Sequence, residues 1–180
     1  HWGENEYASE PQPQYYREVA ATLAAAGADL IIGGHPKFVQ PFEWFFNIDE
    51  NGHERATLAI YSQGTFLSNQ HFPANVSPLV EYSLLLDLEL TKDMDTGETW
   101  LSSVDYEITW IHREWRHRIL PLSKVFGEDH ATFNLSESKI EDLKSWQQRI
   151  IEIAESYGHP EDQQRAMAIA ESRLRTALNR

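Results

Sequence analysis

Residues 28–37 have the sequence ADLIIGGHPK, in which a short apolar run leads directly into a glycine-rich turn. The run at 28–32 is rich in β-branched residues and flanked by glycines, which predicts a buried β-strand ending near His35. His35 and Lys37 project to the same side if the chain stays extended after the strand. Because glycines let a backbone approach a ligand closely, the loop is a candidate for metal or phosphate chemistry. On spacing alone, Gly-His-Pro is more often a turn with a hydrogen-bonded histidine.

An amphipathic helix is predicted directly before this strand. Apolar side chains recur at helical spacing between Pro11 and Ala26, and Gly27 stops the pattern, as a glycine after a last helical turn commonly does. A helix followed by a strand is typical of α/β folds, in which the loops after neighbouring parallel strands open at one edge of the sheet. His1 would follow the strand preceding this unit. We therefore expect His1 and His35 to lie in one cleft.

Two hairpins are predicted after the His35 loop. Strands at 39–48 and 56–62 flank Asp-Glu-Asn-Gly, and strands at 79–90 and 101–111 flank a second turn rich in turn-forming residues. The second turn contains Asp93, Asp95 and Gly97, but it lacks the later ligands and terminal glutamate of a calcium loop, so a solvated hairpin is predicted. His53, beside the first turn, is interpreted as a solvated loop histidine.

The last part of the chain has a helical pattern. Ser138 and Glu141 fit a capping box at the start of one helix, Gly158 ends that helix, and Pro160 begins a second. These signals predict a helical hairpin at 135–180, separate from a domain at 1–125. The hairpin is expected to pack on the sheet or on a partner rather than to carry chemistry.

The charge of the chain limits its partners. It has 28 acidic against 15 basic residues and a formal net charge of −13, which disfavours sequence-independent nucleic-acid binding and adsorption to anionic lipid. There are no cysteines, so disulfides and thiolate metal sites are excluded. Residues 112–118, HREWRHR, form a concentrated basic run. It could hold an anion, but a solvated edge or connecting loop is favoured.

Three linked motifs carry a family resemblance. HWG at 1–3, AGADLIIGGHPKFVQP at 26–41 and IYSQGTFLSNQ at 60–70 resemble, in this order and at similar separations, the capsule-synthesis CapA family. That family is implicated in making or handling poly-γ-glutamate and capsule polymers, and its fold is similar to that of calcineurin-like metallophosphoesterases. The resemblance implies that the chain is the C-terminal half of a calcineurin-like metallophosphatase α/β sandwich with a C-terminal helical hairpin.

The resemblance also implies a set of site residues. His1 and His35 match histidines that help to hold one or two divalent metal ions, and His35 would act as a catalytic residue near the leaving oxygen. Lys37, Gln40 and Glu6 are assigned to substrate or anion binding, although Glu4 is an alternative match to the family's glutamate.

This sequence departs from the family pattern at two positions. Lys37 stands where the family has a second histidine, and a lysine ammonium has no lone pair for a metal, so Lys37 would instead supply a fixed positive charge. Thr65 stands where an asparagine is common. The metal site is therefore interpreted as degenerate in its ligands.

Two classes of function remain open from the sequence. The first is a metal-dependent phosphoester-type hydrolase of capsule or poly-γ-glutamate biosynthesis. The second is a non-catalytic capsule protein that uses the same cleft to bind polymer or a partner. In both cases the resemblance implies capsule polymer or its synthesis machinery as partner, no nucleic acid, and a place in the bacterial cell envelope, extracytoplasmic and membrane-associated through a segment upstream of His1.

Overall fold

The computed structural model of the chain describes residues 1, 6–7, 14–71, 77–113, 117–127 and 132–179. Within these residues strands and helices are mixed, which confirms the predicted α/β class; the relation to the calcineurin-like sandwich remains a prediction. In chain order the elements are α1 (Gln14–Ala25), β1 (Leu30–Ile32), β2 (Phe42–Ile48), β3 (Glu54–Ile60), β4 (Tyr82–Lys92), β5 (Thr99–His112), β6 (Arg118–Pro121), α2 (Leu122–Phe126), α3 (Glu137–Ala154) and α4 (Pro160–Leu178).

The first sheet has the strand order β1-β3-β2. Gly27 ends α1 at φ +102°, a backbone conformation that a residue with a Cβ rarely adopts, and turns the chain into β1. β1 then pairs in parallel with β3, a pairing that the sequence did not predict. β2 and β3 form the predicted antiparallel hairpin around the Asn-Gly turn, where the Asp49 amide donates to the His53 carbonyl at 2.9 Å. β3 is thus the central strand of this sheet, and it pairs with β1, the strand that leads into the His35 loop.

The second sheet has the order β4-β5-β6. β4 and β5 form the predicted long hairpin, and in its turn the Asp93 carboxylate, only 7% exposed, accepts from the backbone amides of Asp95 and Thr96. β6 and α2 were absent from the sequence prediction. β6 spans only four residues and begins with Arg118, opposite His112 of β5. A short edge strand depends on pairing with its neighbour, which local sequence does not reveal.

Helix α3 joins the same hydrophobic core as both sheets. Its Leu143 and Ile150 are fully buried in a cluster with Leu58 of β3 and Leu84 of β4, while α4 contacts β2, β3 and β5. The predicted cap of α3 is wrong by two residues: Ser136, rather than Ser138, accepts the Lys139 amide at 3.2 Å. Among the helices described, none combines the length and the apolar character that crossing a bilayer requires. The division at 125–135 into two domains remains a prediction.

Candidate functional site

The structure brings the two predicted metal histidines together. The ring centroids of His1 and His35 are 4.4 Å apart and the rings are tilted by 41°. His1 is exposed and His35 is half-buried, so a solute can reach the pair. Two adjacent imidazoles are a suitable partial ligand set for a divalent cation, because each neutral ring offers one nitrogen lone pair.

His35 has a strained backbone. The Gly33 amide donates to the Ile60 carbonyl at 2.7 Å and so extends the pairing of β1 with β3 by one residue. Two residues later the chain turns sharply, and His35 adopts φ +107°, a region that non-glycine residues rarely occupy. Such a conformation costs roughly 1–3 kcal/mol and persists only where surrounding contacts impose it, most often at functional sites. The strain therefore supports a functional role for this imidazole.

The segment after β3 holds the His35 loop from behind. The Ser62 hydroxyl donates to the Pro36 carbonyl at 3.0 Å, and the Thr65 hydroxyl donates to the Lys37 carbonyl at 3.2 Å. The backbone amide of Gln40 donates to the backbone carbonyl of Ser62 at 3.0 Å. Sequence reasoning assigned no role to Ser62, which is only 1% exposed; its place in the third motif was the available signal. Thr65 fixes the backbone of Lys37.

Gly64 joins this segment to the second sheet. It forms an isolated antiparallel bridge with Ser83, the second residue of β4, and its φ is +77°. A Cβ built on Gly64 would lie 2.7 Å from the Tyr82 carbonyl oxygen and 3.2 Å from the Val39 amide nitrogen. The two chains can approach this closely only because residue 64 has no side chain. The His35 loop is therefore positioned by both sheets.

The structure places Glu6 beside Lys37. The Lys37 amide donates to the Glu6 carbonyl at 2.5 Å, and the Lys37 Nζ lies 3.9 Å from a carboxylate oxygen of Glu6. Both side chains are partly exposed, so the ion pair is solvated and contributes little to stability. Gln40, the third residue assigned to substrate binding, is 1% exposed and lies in the interior. Lys37 and Glu6 can meet a solute, whereas Gln40 lies behind the loop.

The His1–His35 pair has too few protein donors to form a closed metal site by itself. Among the described residues, no group of three potential ligands contains either histidine. Stable sites generally need three or four protein donors. Trp2, Gly3 and Glu4 of the first motif lie outside the described residues. A divalent cation held by this pair would take further ligands from elsewhere in the protein.

Comparison with known proteins gives matches over the part of the chain that contains this site. Residues 1–70 match the family model described as bacterial capsule synthesis protein PGA_cap. Over 85 residues, 47% of the chain, the sequence is 36% identical to PGA biosynthesis protein CapA of Bacillus subtilis (strain 168) and 34% identical to capsule biosynthesis protein CapA of Bacillus anthracis. These alignments cover 20% and 18% of the two proteins, so the chain spans about a fifth of the relatives that it matches. No solved structure gives a significant match.

Proposed function

We propose, from the match of residues 1–70 to the bacterial capsule synthesis family model and the similarity to CapA of Bacillus subtilis, that the protein acts in capsule or poly-γ-glutamate biosynthesis through a divalent-metal site containing His1 and His35. The adjacent rings, with centroids 4.4 Å apart and the strained backbone of His35 beneath them, carry this proposal. A lone surface histidine needs neither a neighbouring imidazole nor a positive φ.

The reaction class that this site supports best is hydrolysis of a phosphoester-type bond. A divalent metal bound there would polarise the substrate and lower the pKa of a bound water. The resemblance also implies that His35 would lie near the leaving oxygen, which the N–H of a ligating imidazole could hydrogen-bond. Lys37 carries a positive charge at the same loop, and Thr65 and Glu6 hold its backbone. Lys37 would attract the anionic group of the substrate, as a carboxylate or phosphate polymer requires.

His35→Ala tests this proposal. We expect the purified protein to lose at least about tenfold in affinity for Mn²⁺, because one of two adjacent imidazole donors is removed. Equilibrium dialysis with elemental analysis measures the bound metal, and turnover of a generic phosphodiester measures the reaction. His71→Ala is the matched control, since the His71 Nδ1 lies 3.2 Å from the Asn69 carbonyl oxygen and His71 belongs to no group of potential ligands among the described residues. Equal metal binding by the His35 variant and the wild-type protein would contradict the site.

One observation favours a second function. Lys37 stands at the family's ligand position and lies near Glu6, so the loop presents a charge where a ligand is expected. The alternative is a non-catalytic capsule protein that binds an anionic polymer or a partner. Metal binding or polymer binding without phosphodiester turnover would favour this alternative.

Lys37→His distinguishes the two functions. If Lys37 has replaced a metal ligand, the histidine variant should bind more divalent metal than the wild-type protein, by about tenfold in affinity, since an imidazole offers a lone pair that an ammonium lacks. Lys37→Ala is the matched control, because it removes the same charge without adding a donor. Unchanged metal affinity in the histidine variant would show that a side chain at position 37 cannot reach the metal.

A further inference from the structure

The two hairpin turns of the chain come together at a distance from the His1–His35 pair. Asp49 and His53 belong to the turn between β2 and β3, and Glu98 belongs to the turn between β4 and β5. Ligand atoms of these three side chains all lie within 4.8 Å of one another. The first turn connects two strands of the first sheet and the second turn connects two strands of the second sheet. The three side chains therefore lie where the two sheets meet.

Asp49 is held in place as an ionised carboxylate. Its Oδ1 accepts from the amides of Asn51 and His53, each at 2.9 Å. These hydrogen bonds, the one from His53 above all, lower the pKa of Asp49. The second oxygen, Oδ2, lies 3.8 Å from the His53 Nδ1 and 3.4 Å from an Arg173 nitrogen. Asp49 therefore presents Oδ2 toward His53 in a fixed orientation.

A cavity of about 490 Å³ adjoins the group, and α4 forms its opposite wall. His53 and Glu98 line it together with Trp100 and Arg173. Trp100 is only 6% exposed, and its Nε1 has no hydrogen-bond partner among the described residues; the same holds for the buried Nε of Arg173. A buried N–H without an acceptor costs roughly 1–3 kcal/mol, so a ligand oxygen within reach of either donor would be stabilising.

The charges around the cavity favour a cation at the group of three. Four carboxylates, those of Asp49, Glu54, Asp93 and Glu98, face two guanidinium groups, those of Arg165 and Arg173, which leaves a net charge of −2. Arg165 pairs with Glu54 and Arg173 with Asp49. Glu98 has no arginine partner among the ion pairs that the described residues form. A divalent cation would balance the charge that remains.

We propose that Asp49, His53 and Glu98 bind Zn²⁺ and that the metal links the two hairpins. One imidazole and two carboxylates are the donor types that Zn²⁺ accepts, at about 2.0–2.2 Å from the metal. The present separations require small rotations, which His53, with a side chain 64% exposed, can make. Three protein donors would leave a coordination position open for water or a ligand oxygen. The site is independent of His1 and His35.

Zinc titration of the purified His35→Ala protein tests the proposal, because this background removes the other candidate site. Calorimetry should show one bound Zn²⁺, and zinc should raise the midpoint of thermal unfolding by about 3 °C or more. Adding His53→Ala or Glu98→Gln should each weaken zinc binding by at least about tenfold. Both side chains are at the surface, so the variants should fold, which circular dichroism without zinc verifies.

Glu50→Gln in the same background is the matched control. Glu50 is an exposed carboxylate in the same turn but lies outside the group of three, so zinc binding should be unchanged. The proposal is overturned if the His35→Ala protein binds no zinc, or if His53→Ala and Glu98→Gln bind it as Glu50→Gln does. Failure of the His1–His35 site leaves these results unaffected.

Discussion

Gly64→Ala should lower the free energy of unfolding by at least about 3 kcal/mol. The expected loss has two causes. Alanine at φ +77° is strained by its own backbone, and its Cβ would lie 2.7 Å from the Tyr82 carbonyl oxygen, which is backbone and cannot rotate away. To relieve this contact, the backbone at residue 64 would have to move away from β4, which would break its bridge to Ser83. Urea denaturation followed by circular dichroism measures the loss.

Gly97→Ala is the matched control for this effect. Gly97 has nearly the same backbone angle, φ +78°, but a Cβ there would meet nothing within 4 Å. The control variant should lose only about 1 kcal/mol, the cost of the backbone conformation alone. The difference between the two variants therefore isolates the contact between the sheets. Equal losses in both would contradict the close approach at Gly64.

Gly64 also lies between two residues that hold the site, Ser62 and Thr65. If the bridge to the second sheet positions the His35 loop, Gly64→Ala should weaken metal binding under conditions in which the variant is still folded. The position of the imidazole pair would then depend on a glycine that has no contact with the metal.

Glu43→Ala should lower the free energy of unfolding by roughly 2–3 kcal/mol. Glu43 is 8% exposed, and its carboxylate accepts from both the Arg17 guanidinium of α1 and the Tyr61 hydroxyl, the latter at 2.7 Å. Removal of Glu43 takes this acceptor away from the buried Tyr61 hydroxyl and from the partly exposed Arg17 guanidinium. The value is lower than for a fully buried pair because the Arg17 side chain is 45% exposed.

A double-mutant cycle separates the contact from general damage to the core. Tyr61→Phe keeps the ring, which is fully buried, and removes only the hydroxyl. In the Tyr61→Phe background, Glu43→Ala should cost about 1 kcal/mol less than in the wild-type protein, because one donor no longer lacks its acceptor. Additive losses would show that Glu43 and Tyr61 do not stabilise each other.

Local sequence was sufficient for features that depend on neighbours in the chain. The apolar run ending in two glycines predicted β1, and the Asn-Gly turn predicted the hairpin of β2 and β3. Because His1 and His35 were expected to follow neighbouring parallel strands, they were predicted to lie in one cleft, and their rings do lie together. These features follow from hydrophobic periodicity, from the residues that favour turns, and from the tendency of loops after neighbouring parallel strands to open at one edge of a sheet. All three can be recognised in short stretches of sequence.

Other features required contacts between residues distant in the chain. β6 forms by pairing with β5, Ser62 acquires its role by reaching the Pro36 carbonyl, and Gly64 is needed because β4 passes close to it. His53 was interpreted as solvated, and it is exposed, but its proximity to Glu98 arises from the packing of two hairpins. The sequence by itself predicted the resemblance to the capsule-synthesis family, the α/β class and the proximity of His1 and His35. Only the tertiary structure decided what holds them and what the two turns bring together, because distances across a fold depend on packing rather than on spacing along the chain.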